Sequence, residues 1–374
     1  MSFRYVSGIN KPGFNPLGAQ TTTTFYDLFS WGYGSNGKLG LGNTTNYSSP
    51  KQVGGSDGWL KVFCGNEHSL FIKSDGSLWV AGSGTFGKLG QGNTTSYSSP
   101  KQVGTYTTWS TAAGGSNSTM AIKTDGTLWG WGLNDSGQLG TGNTTYYSSP
   151  KQIGALTTWS KVSAGDDHSV AIKTDGTMWS WGRNTQGQLG IGNTTRYSSP
   201  KQVGALTTWS KVVAGAAYCV AIKTDGTLWS WGRNHAGQLG LGNTIYRSSP
   251  NQIGALTTWS LTANSTSHVI AVKTDGTLWS WGSSPDGALG LGNITYYSSP
   301  KQIGALTSWV TPAAGKTADS LAIKTDGTLW SWGINTWGEL GLNNTTSYSS
   351  PKQVGSSTTW LNVAGGTNFS LATG

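Results

Sequence analysis

The chain has 374 residues, of which only 10% are charged, and its formal net charge is +9. Gly, Ser, Thr, Asn, Trp and Tyr are abundant instead, so the surface must stay soluble through hydroxyls and amides. No apolar run is long enough to cross a bilayer, and the N-terminus lacks the pattern of a secretory signal peptide, so we expect neither feature.

The first 24 residues lie outside the pattern that fills the rest of the chain. Pro12 and Pro16 disfavour a helix there. We predict an extended N-terminal arm over residues 1–24 that lies along the domain or docks onto a partner.

From residue 25 onward one repeat runs to the end of the chain. A representative copy reads TDGTMWSWGRNTQGQLGIG and begins at Thr174, and the spacing between copies is 50 residues, lengthened once to 51. A period of this length indicates an array of similar supersecondary units, so we predict one domain over residues 25–374. Related copies begin at Phe25, Ser74, Thr124, Thr224, Thr274 and Thr325.

Each copy is predicted to contain four short strands. In the second strand Val170 and Ile172 alternate with Ala171, so both faces are apolar and must be covered. Four-stranded sheets stacked between two neighbours meet that need, and seven of them can form a ring. In the representative copy the strands are predicted at 159–165, 168–173, 177–182 and around 201–203.

The two chain ends predict how the ring closes. The last copy begins at Trp360 and stops after its second strand, and the segment 25–32 can supply the missing third strand. Pairing of this N-terminal strand with the C-terminal blade leaves no free sheet edge. The predicted fold is therefore an all-β, seven-bladed β-propeller.

The repeat resembles that of the regulator of chromosome condensation family. That family includes a nucleotide exchange factor for a small GTPase that also binds chromatin, a plant ultraviolet-B photoreceptor and a β-lactamase-inhibiting protein, so the resemblance implies the fold more than an activity. The residues that carry it are Ala164-Gly165, His168-Ser169, Thr174-Asp175-Gly176, Trp181-Gly182, Gly187 to Gly190 and Gly192-Asn193.

Residues suited to catalysis are scarce, with four His and two Glu in the whole chain. Asp166 and Asp167 beside His168 could suggest a metal or acid-base site, but only one copy has them, which favours a solvated loop. Nineteen of the twenty Trp occupy recurring strand positions, which favours core packing over light sensing. We predict no enzyme activity, no cofactor and no metal. The motif histidine is replaced in four copies, by Ser118, Tyr218, Asp319 and Phe369, which indicates a packing or hydrogen-bonding position.

Most lysines occupy two recurring places, and the six that follow the turn proline have no nearby acidic residue. They could attract nucleic acid, but no dense basic cluster lies beside them, which favours a solubility role. We therefore do not expect a nucleic acid partner.

The copies differ mainly in two loops, before the second strand and after the third. Alternating strand directions predict that both loops lie on one end of the ring. Recognition usually resides in such loops, although exposed loops also vary without any function. Tyr, Trp and Arg are common interface anchors. The candidate partner-binding residues are Tyr33, Phe86, Arg183, Arg233, His235 and Trp337.

A tyrosine also recurs in the long segment after the third strand. These rings could stack on sugars, although a Tyr before Ser-Ser-Pro is more typical of a local packing anchor. The candidate glycan-binding residues are Tyr47, Tyr97, Tyr147, Tyr197, Tyr297 and Tyr348.

The resulting hypothesis is a non-enzymatic protein-binding or structural module. Low charge and abundant Thr, Asn, Gly and aromatic residues lead us to expect a virion or extracellular surface component rather than a cytoplasmic protein. One alternative is a glycan-binding, lectin-like propeller. Another is a small-GTPase exchange factor or chromatin-binding propeller. The sequence leaves the oligomeric state open.

Overall fold

The computed structural model describes residues 26–374 apart from Ser56. These residues form seven four-stranded antiparallel sheets, which are the blades of the predicted propeller. In each blade the first strand lines the central channel and the fourth lies outermost. The predicted arm at 1–24 lies outside the described residues.

The strands follow the repeat. Blade 1 contains β3 (Trp59–Cys64), β4 (His68–Lys73), β5 (Leu78–Gly82) and β6 (Tyr97–Gln102); blade 2 contains β7 (Trp109–Gly114), β8 (Ser118–Lys123), β9 (Leu128–Gly132) and β10 (Tyr147–Gln152). Blade 3 contains β11 (Trp159–Ala164), β12 (His168–Lys173), β13 (Met178–Gly182) and β14 (Tyr197–Gln202); blade 4 contains β15 (Trp209–Ala214), β16 (Tyr218–Lys223), β17 (Leu228–Gly232) and β18 (Arg247–Gln252). Blade 5 contains β19 (Trp259–Asn264), β20 (His268–Lys273), β21 (Leu278–Gly282) and β22 (Tyr297–Gln302); blade 6 contains β23 (Trp309–Ala314), β24 (Asp319–Lys324), β25 (Leu329–Gly333) and β26 (Tyr348–Gln353). Blade 7 contains β27 (Asn362–Gly365), β28 (Phe369–Thr373), β1 (Leu28–Gly32) and β2 (Tyr47–Gln52), and single-turn 3-10 helices span Ser35–Gly37, Thr85–Gly87 and Pro285–Gly287.

The Asp-Gly turn sets the register of the second and third strands. Oδ1 of Asp175 accepts hydrogen bonds from the backbone N–H of Thr177 at 2.9 Å and from its hydroxyl at 2.7 Å. Gly176 has a φ of 77°, a conformation that L side chains rarely adopt. The hydroxyl of Thr177 then accepts the indole N–H of Trp179 at 3.0 Å, so one short motif ties the turn to the strand.

Buried tryptophans join neighbouring blades. Trp181 is fully buried, and its Nε1 donates to the carbonyl of Gln138 in the preceding repeat at 2.9 Å. Blade 1 has Ala81 at the position of Trp181. In that blade Phe71 replaces the alanine found at Ala171 in blade 3, so a large aromatic ring is still present in the core of the blade. This packing accounts for the second strand being apolar on both faces.

The outer strand begins earlier than we predicted. Tyr197 pairs with Gly182, and Lys201 pairs with Ser180, with a register shift between the two pairs. Pro200 is tolerated because an outermost strand has one side without ladder hydrogen bonds.

The prediction of ring closure is confirmed. In blade 7 the strand order is β2-β1-β28-β27, with Leu28 paired to Thr373 and Gly32 paired to Phe369. The indole of Trp31 adds a 2.8 Å hydrogen bond to the carbonyl of Glu339. Both ends of the propeller sequence therefore complete one blade, which leaves neither end as an unpaired edge.

Candidate partner-binding face

The two variable loops of each repeat lie together at one end of the ring. The backbone N–H of Arg183 donates to the carbonyl of Asp167 at 2.8 Å, and that of Arg233 donates to the carbonyl of Ala217 at 2.9 Å. We call this end the loop face. It comprises the inner loops 66–67, 116–117, 166–167, 216–217, 266–267, 316–318 and 367–368, and the outer loops 33–36, 83–86, 133–136, 183–186, 233–236, 283–286 and 334–337.

Buried amides hold the backbone of several outer loops. Asn184 is fully buried, and its Nδ2 donates to the carbonyls of Asn193 at 3.0 Å and Thr195 at 2.9 Å. Its Oδ1 accepts the backbone N–H of Leu189 at 3.0 Å. The variable side chains are thereby carried on a rigid scaffold.

Trp337 and Tyr33 form an aromatic cluster where blades 6 and 7 meet. Their ring centroids lie 4.3 Å apart with an interplanar angle of 32°, and Trp337 remains 38% exposed. Nζ of Lys38 lies 4.5 Å from the centroid of the Tyr33 ring and 3.0 Å from a carboxylate oxygen of Glu67. Burial lowers the pKa of Lys38, and the Glu67 carboxylate opposes that shift. We call Trp337, Tyr33 and Lys38 the aromatic cluster.

Three predicted residues form a basic cluster on blades 3 and 4, namely Arg183, Arg233 and His235. Arg183 is exposed and contacts the carboxylate of Asp167 at 3.3 Å. Arg233 lies 3.4 Å from the imidazole of His235, whose pKa is lowered by partial burial and by that guanidinium. Burial raises the pKa of Asp166, although Lys316 and both arginines act against this shift.

Phe86 belongs to neither cluster. It is 43% exposed and packs edge-to-face on Tyr146 of the next blade, with 5.8 Å between ring centroids. The structure thus places all six predicted residues on or beside the loop face, in two clusters and one separate aromatic pair.

The recurring tyrosines have partners within the protein. Each ring is half-buried and has a lysine Nζ 5.1 to 5.9 Å from its centroid, as for Tyr197 and Lys201. The hydroxyl of Tyr147 accepts a hydrogen bond from Asn143 at 3.2 Å. These contacts favour the packing role, and glycan binding stays a prediction. The six residues are Tyr47, Tyr97, Tyr147, Tyr197, Tyr297 and Tyr348.

Sequence reasoning missed a lysine at the mouth of the central channel. A cavity of about 390 Å³ is lined by the inner strands and by Lys316. Burial lowers the pKa of Lys316, with the Asp166 carboxylate acting in the opposite direction. The one sequence feature that marks this lysine is the single 51-residue spacing between copies, because the extra residue falls in the loop 316–318.

The motif histidine is a hydrogen-bonding position, as predicted. Nε2 of His168 lies 3.3 Å from Sγ of Cys219, and Nε2 of His268 lies 2.9 Å from Oγ of Ser320, in each case across to the next blade. Burial lowers the pKa of His168 to about 3 and that of His268 to about 4. Among residues 26–374 other than Ser56, no three His, Cys, Asp or Glu side chains are grouped as metal ligands.

Blade 6 places a carboxyl group at this histidine position. Asp319 is fully buried, and neither of its carboxyl oxygens has a hydrogen-bond partner among residues 26–374 other than Ser56. Glu339 is also buried. One of its carboxyl oxygens accepts the backbone N–H of Trp337 at 2.7 Å, and the other has no partner among these described residues. Burial, and then the charge of Glu339, raises the pKa of Asp319 well above its usual value.

The buried histidines predict acid sensitivity. In the unfolded chain the imidazole of His168 has a pKa of 6.5 and is protonated below that pH. In the folded protein the buried imidazole stays neutral until the pH approaches its folded pKa of about 3. The free energy of unfolding should therefore fall relative to a His168→Phe variant by about 1.4 kcal/mol per pH unit in this window. Urea denaturation from pH 7 to 4 measures the difference; parallel pH profiles for the two proteins would contradict it.

Several solved structures are similar to the whole ring. Prp20p from Saccharomyces cerevisiae is 22% identical with a TM-score of 0.83, covering 93% of this chain and 91% of that chain; the work on it describes binding to Gsp1p and histones. Human WBSCR16 is 19% identical with a TM-score of 0.83, covering 93% of this chain and 98% of that chain. Yeast RCC1 (Prp20) bound to Kap60 is 21% identical with a TM-score of 0.82, covering 100% of this chain and 96% of that chain.

The expected virion or extracellular location is wrong. The similar yeast propeller Prp20p is described as binding Gsp1p and histones, which points away from a virion or extracellular location. The expectation rested on composition, yet the Thr and Gly of this chain serve its turns, as Thr177 and Gly176 show. No helix within the described residues has the length and apolar character needed to cross a membrane.

The repeat is matched by a family model as well as by these structures. The model is that of the RCC1-like domain, and it covers residues 27–372, which include all seven blades. The chain therefore belongs to the RCC1-like domain family.

Proposed function

We propose that this protein is a non-enzymatic, protein-binding propeller whose partner docks on the loop face. The observation that carries the proposal is the exposed Trp337 stacked on Tyr33. Trp337 is the one tryptophan of twenty outside the recurring strand positions, so the repeat does not account for it. Large aromatic residues and arginines are the most frequent anchors of protein interfaces.

The geometry of the loop face supports this use. Buried amides such as Asn184 hold the outer loops, so few side chains must be ordered when a partner binds. The exposed guanidinium of Arg183 and the half-buried one of Arg233 offer planar donors suited to carboxylates. A partner with an acidic surface next to an apolar pocket would complement both clusters.

The second candidate function is a small-GTPase exchange factor or histone-binding propeller. It is favoured by the match to Prp20p, which binds Gsp1p and histones, over nearly the full length of both chains. The complex of yeast RCC1 with Kap60 shows a further protein partner for that similar propeller. These comparisons support protein recognition better than a purely structural role.

Affinity capture followed by calorimetry with the purified captured protein tests the main proposal. A triple variant with Arg183→Ala, Arg233→Ala and Trp337→Ala should bind that partner at least about 100-fold more weakly, since interface anchors often contribute 1–2 kcal/mol each. The matched control replaces three exposed leucines away from the loop face, Leu156, Leu206 and Leu256, by Ala and should bind like the parent. Equal loss in both triple variants, or in neither, would reject the loop face as the interface.

Release of a fluorescent GDP from purified Gsp1p tests the second candidate. An exchange factor should accelerate release, and the loop-face triple variant should lose the acceleration. Absence of acceleration with the parent rejects exchange activity on this GTPase. Pull-down with purified core histones then tests the histone-binding form separately.

A further inference from the structure

Six blades contain a lysine held between two tryptophan rings at the end opposite the loop face. In blade 4, Nζ of Lys223 lies 5.1 Å from the Trp209 centroid and 3.6 Å from the Trp229 centroid. Across the six blades the two rings meet edge to face at 6.0 to 6.3 Å. We call each ring pair an aromatic corner. The six lysines are Lys73, Lys123, Lys173, Lys223, Lys273 and Lys324.

Blade 7 has the aromatic corner without the lysine. Phe29 and Trp360 meet edge to face with 5.2 Å between centroids and an interplanar angle of 74°. In blade 3, Ile172 pairs with Met178 and the next residue is Lys173. In blade 7 the equivalent pair is Thr373 with Leu28, and the next residue is Gly374, which therefore occupies the position of the lysine. Phe29 is also smaller than the tryptophan of the other corners, and its ring lies nearer to its partner ring than the two rings do there.

A carboxylate replaces a hydroxyl beside this corner. Asp27 stands two residues before Phe29, where blade 3 has the hydroxyl of Thr177 bound to the Trp179 indole. Oδ1 of Asp27 is buried and has no hydrogen-bond partner within the part of the chain that the structure describes. The backbone N–H of Asp27 donates to the carbonyl of Gly374 at 3.1 Å. Asp27 therefore lies beside Gly374, the residue at the position of the missing lysine.

We propose that the blade 7 corner binds a lysine side chain of a protein partner. The site offers the half-buried Phe29 ring, the buried Trp360 ring and, next to the Gly374 backbone, Asp27; no cation among the described residues lies over either ring. An ammonium over an aromatic face is attracted by the ring quadrupole, and the negative charge of Asp27 adds to that attraction. The six internal lysines show that an edge-to-face ring pair at this place in a blade accepts a lysine side chain. This site lies away from the loop face and goes beyond the function proposed above.

The probe is a short peptide, acetyl-Gly-Gly-Lys-Gly-Gly-amide, titrated to about 10 mM because a single cation–π contact is weak. The amide signal of Gly374 and the indole signal of Trp360 in nitrogen-15 spectra of the full chain report on the corner. We expect saturable shifts with this peptide, and binding weaker by about tenfold or more when its lysine is Nε-acetylated, since acetylation removes the charge.

Two variants of the corner complete the test. Gly374→Lys supplies the missing ammonium from the chain itself and should abolish peptide binding, while Phe29→Leu should weaken it. Trp337→Ala on the loop face is the control and should leave binding unchanged. Undiminished binding to Gly374→Lys, equal binding of the acetylated peptide, or no saturable shift would each overturn the proposal.

The arm of the same chain provides one more decisive outcome. If the peptide binds only after Arg4→Gln and Lys11→Gln are introduced, a cation of the chain itself competes for the corner. That result would reject a partner lysine as the occupant.

Discussion

Deletion of residues 1–32 should abolish cooperative unfolding, because it removes the strand that closes the ring. β1 lies between β2 and β28, and its Leu28 and Trp31 are fully buried. Loss of two such side chains alone costs more than about 5 kcal/mol, which is comparable to the whole stability of many domains. The unpaired edge of β28 would in addition promote aggregation. Differential scanning calorimetry and size-exclusion chromatography measure both effects.

The control for this deletion removes residues 1–24 only and retains β1. It should melt cooperatively, because the paired residues of blade 7 begin at Leu28. A protein lacking residues 1–32 that melts cooperatively at the parent temperature would show that closure does not depend on β1.

Replacement of Asp319 by Asn should raise the free energy of unfolding at pH 7 by about 1 to 3 kcal/mol, the range expected for a buried, unsatisfied carboxyl group. Burial raises the folded pKa of Asp319 well above 3.8, whereas the unfolded chain ionises this group near 3.8. The folded state therefore binds the proton more tightly, and the native protein loses stability as pH rises from about 4 toward the folded pKa. Asn does not ionise, so its advantage should grow with pH and shrink toward pH 4.

Urea denaturation of parent and Asp319→Asn at pH 4 and pH 7 measures this dependence. Asp326→Asn is the matched control, because hydrogen bonds from Thr328 lower the pKa of that turn carboxylate. Its loss should therefore destabilise the protein at pH 7, opposite in sign to Asp319→Asn. An equal gain at both pH values, or destabilisation by Asp319→Asn at pH 7, would contradict the assignment of an uncompensated buried acid.

Local sequence patterns predicted the loop face, but they did not predict which of its residues form clusters. The strand directions of one copy, 159–182, were enough to place both variable loops at the same end, because antiparallel neighbours alternate. The stacking of Trp337 on Tyr33 depends instead on blades 6 and 7 becoming neighbours. Closure brings together residues from opposite ends of the chain, and no spacing in the sequence encodes that distance.

Composition misled the prediction of location. Low charge and many Thr, Gly and aromatic residues predict a virion or extracellular surface protein, which is wrong here. In the structure, Asp175, Gly176 and Thr177 build a turn, and Trp181 packs between blades. A repeated turn multiplies the same few residue types several times, so the composition reports the architecture rather than the compartment.

The sequence by itself determined the repeat, the three inner strands of each blade, the turn chemistry and the closure of the ring, because each depends on interactions within one copy or on counting copies. Only the tertiary structure decided what lies between copies. It revealed the unpartnered carboxyl of Asp319 and the vacant corner of Phe29 and Trp360 beside Gly374. Both features depend on which residues of distant copies lie opposite each other, either in neighbouring blades or in the strand pair that closes the ring. These pairings form only when the ring closes.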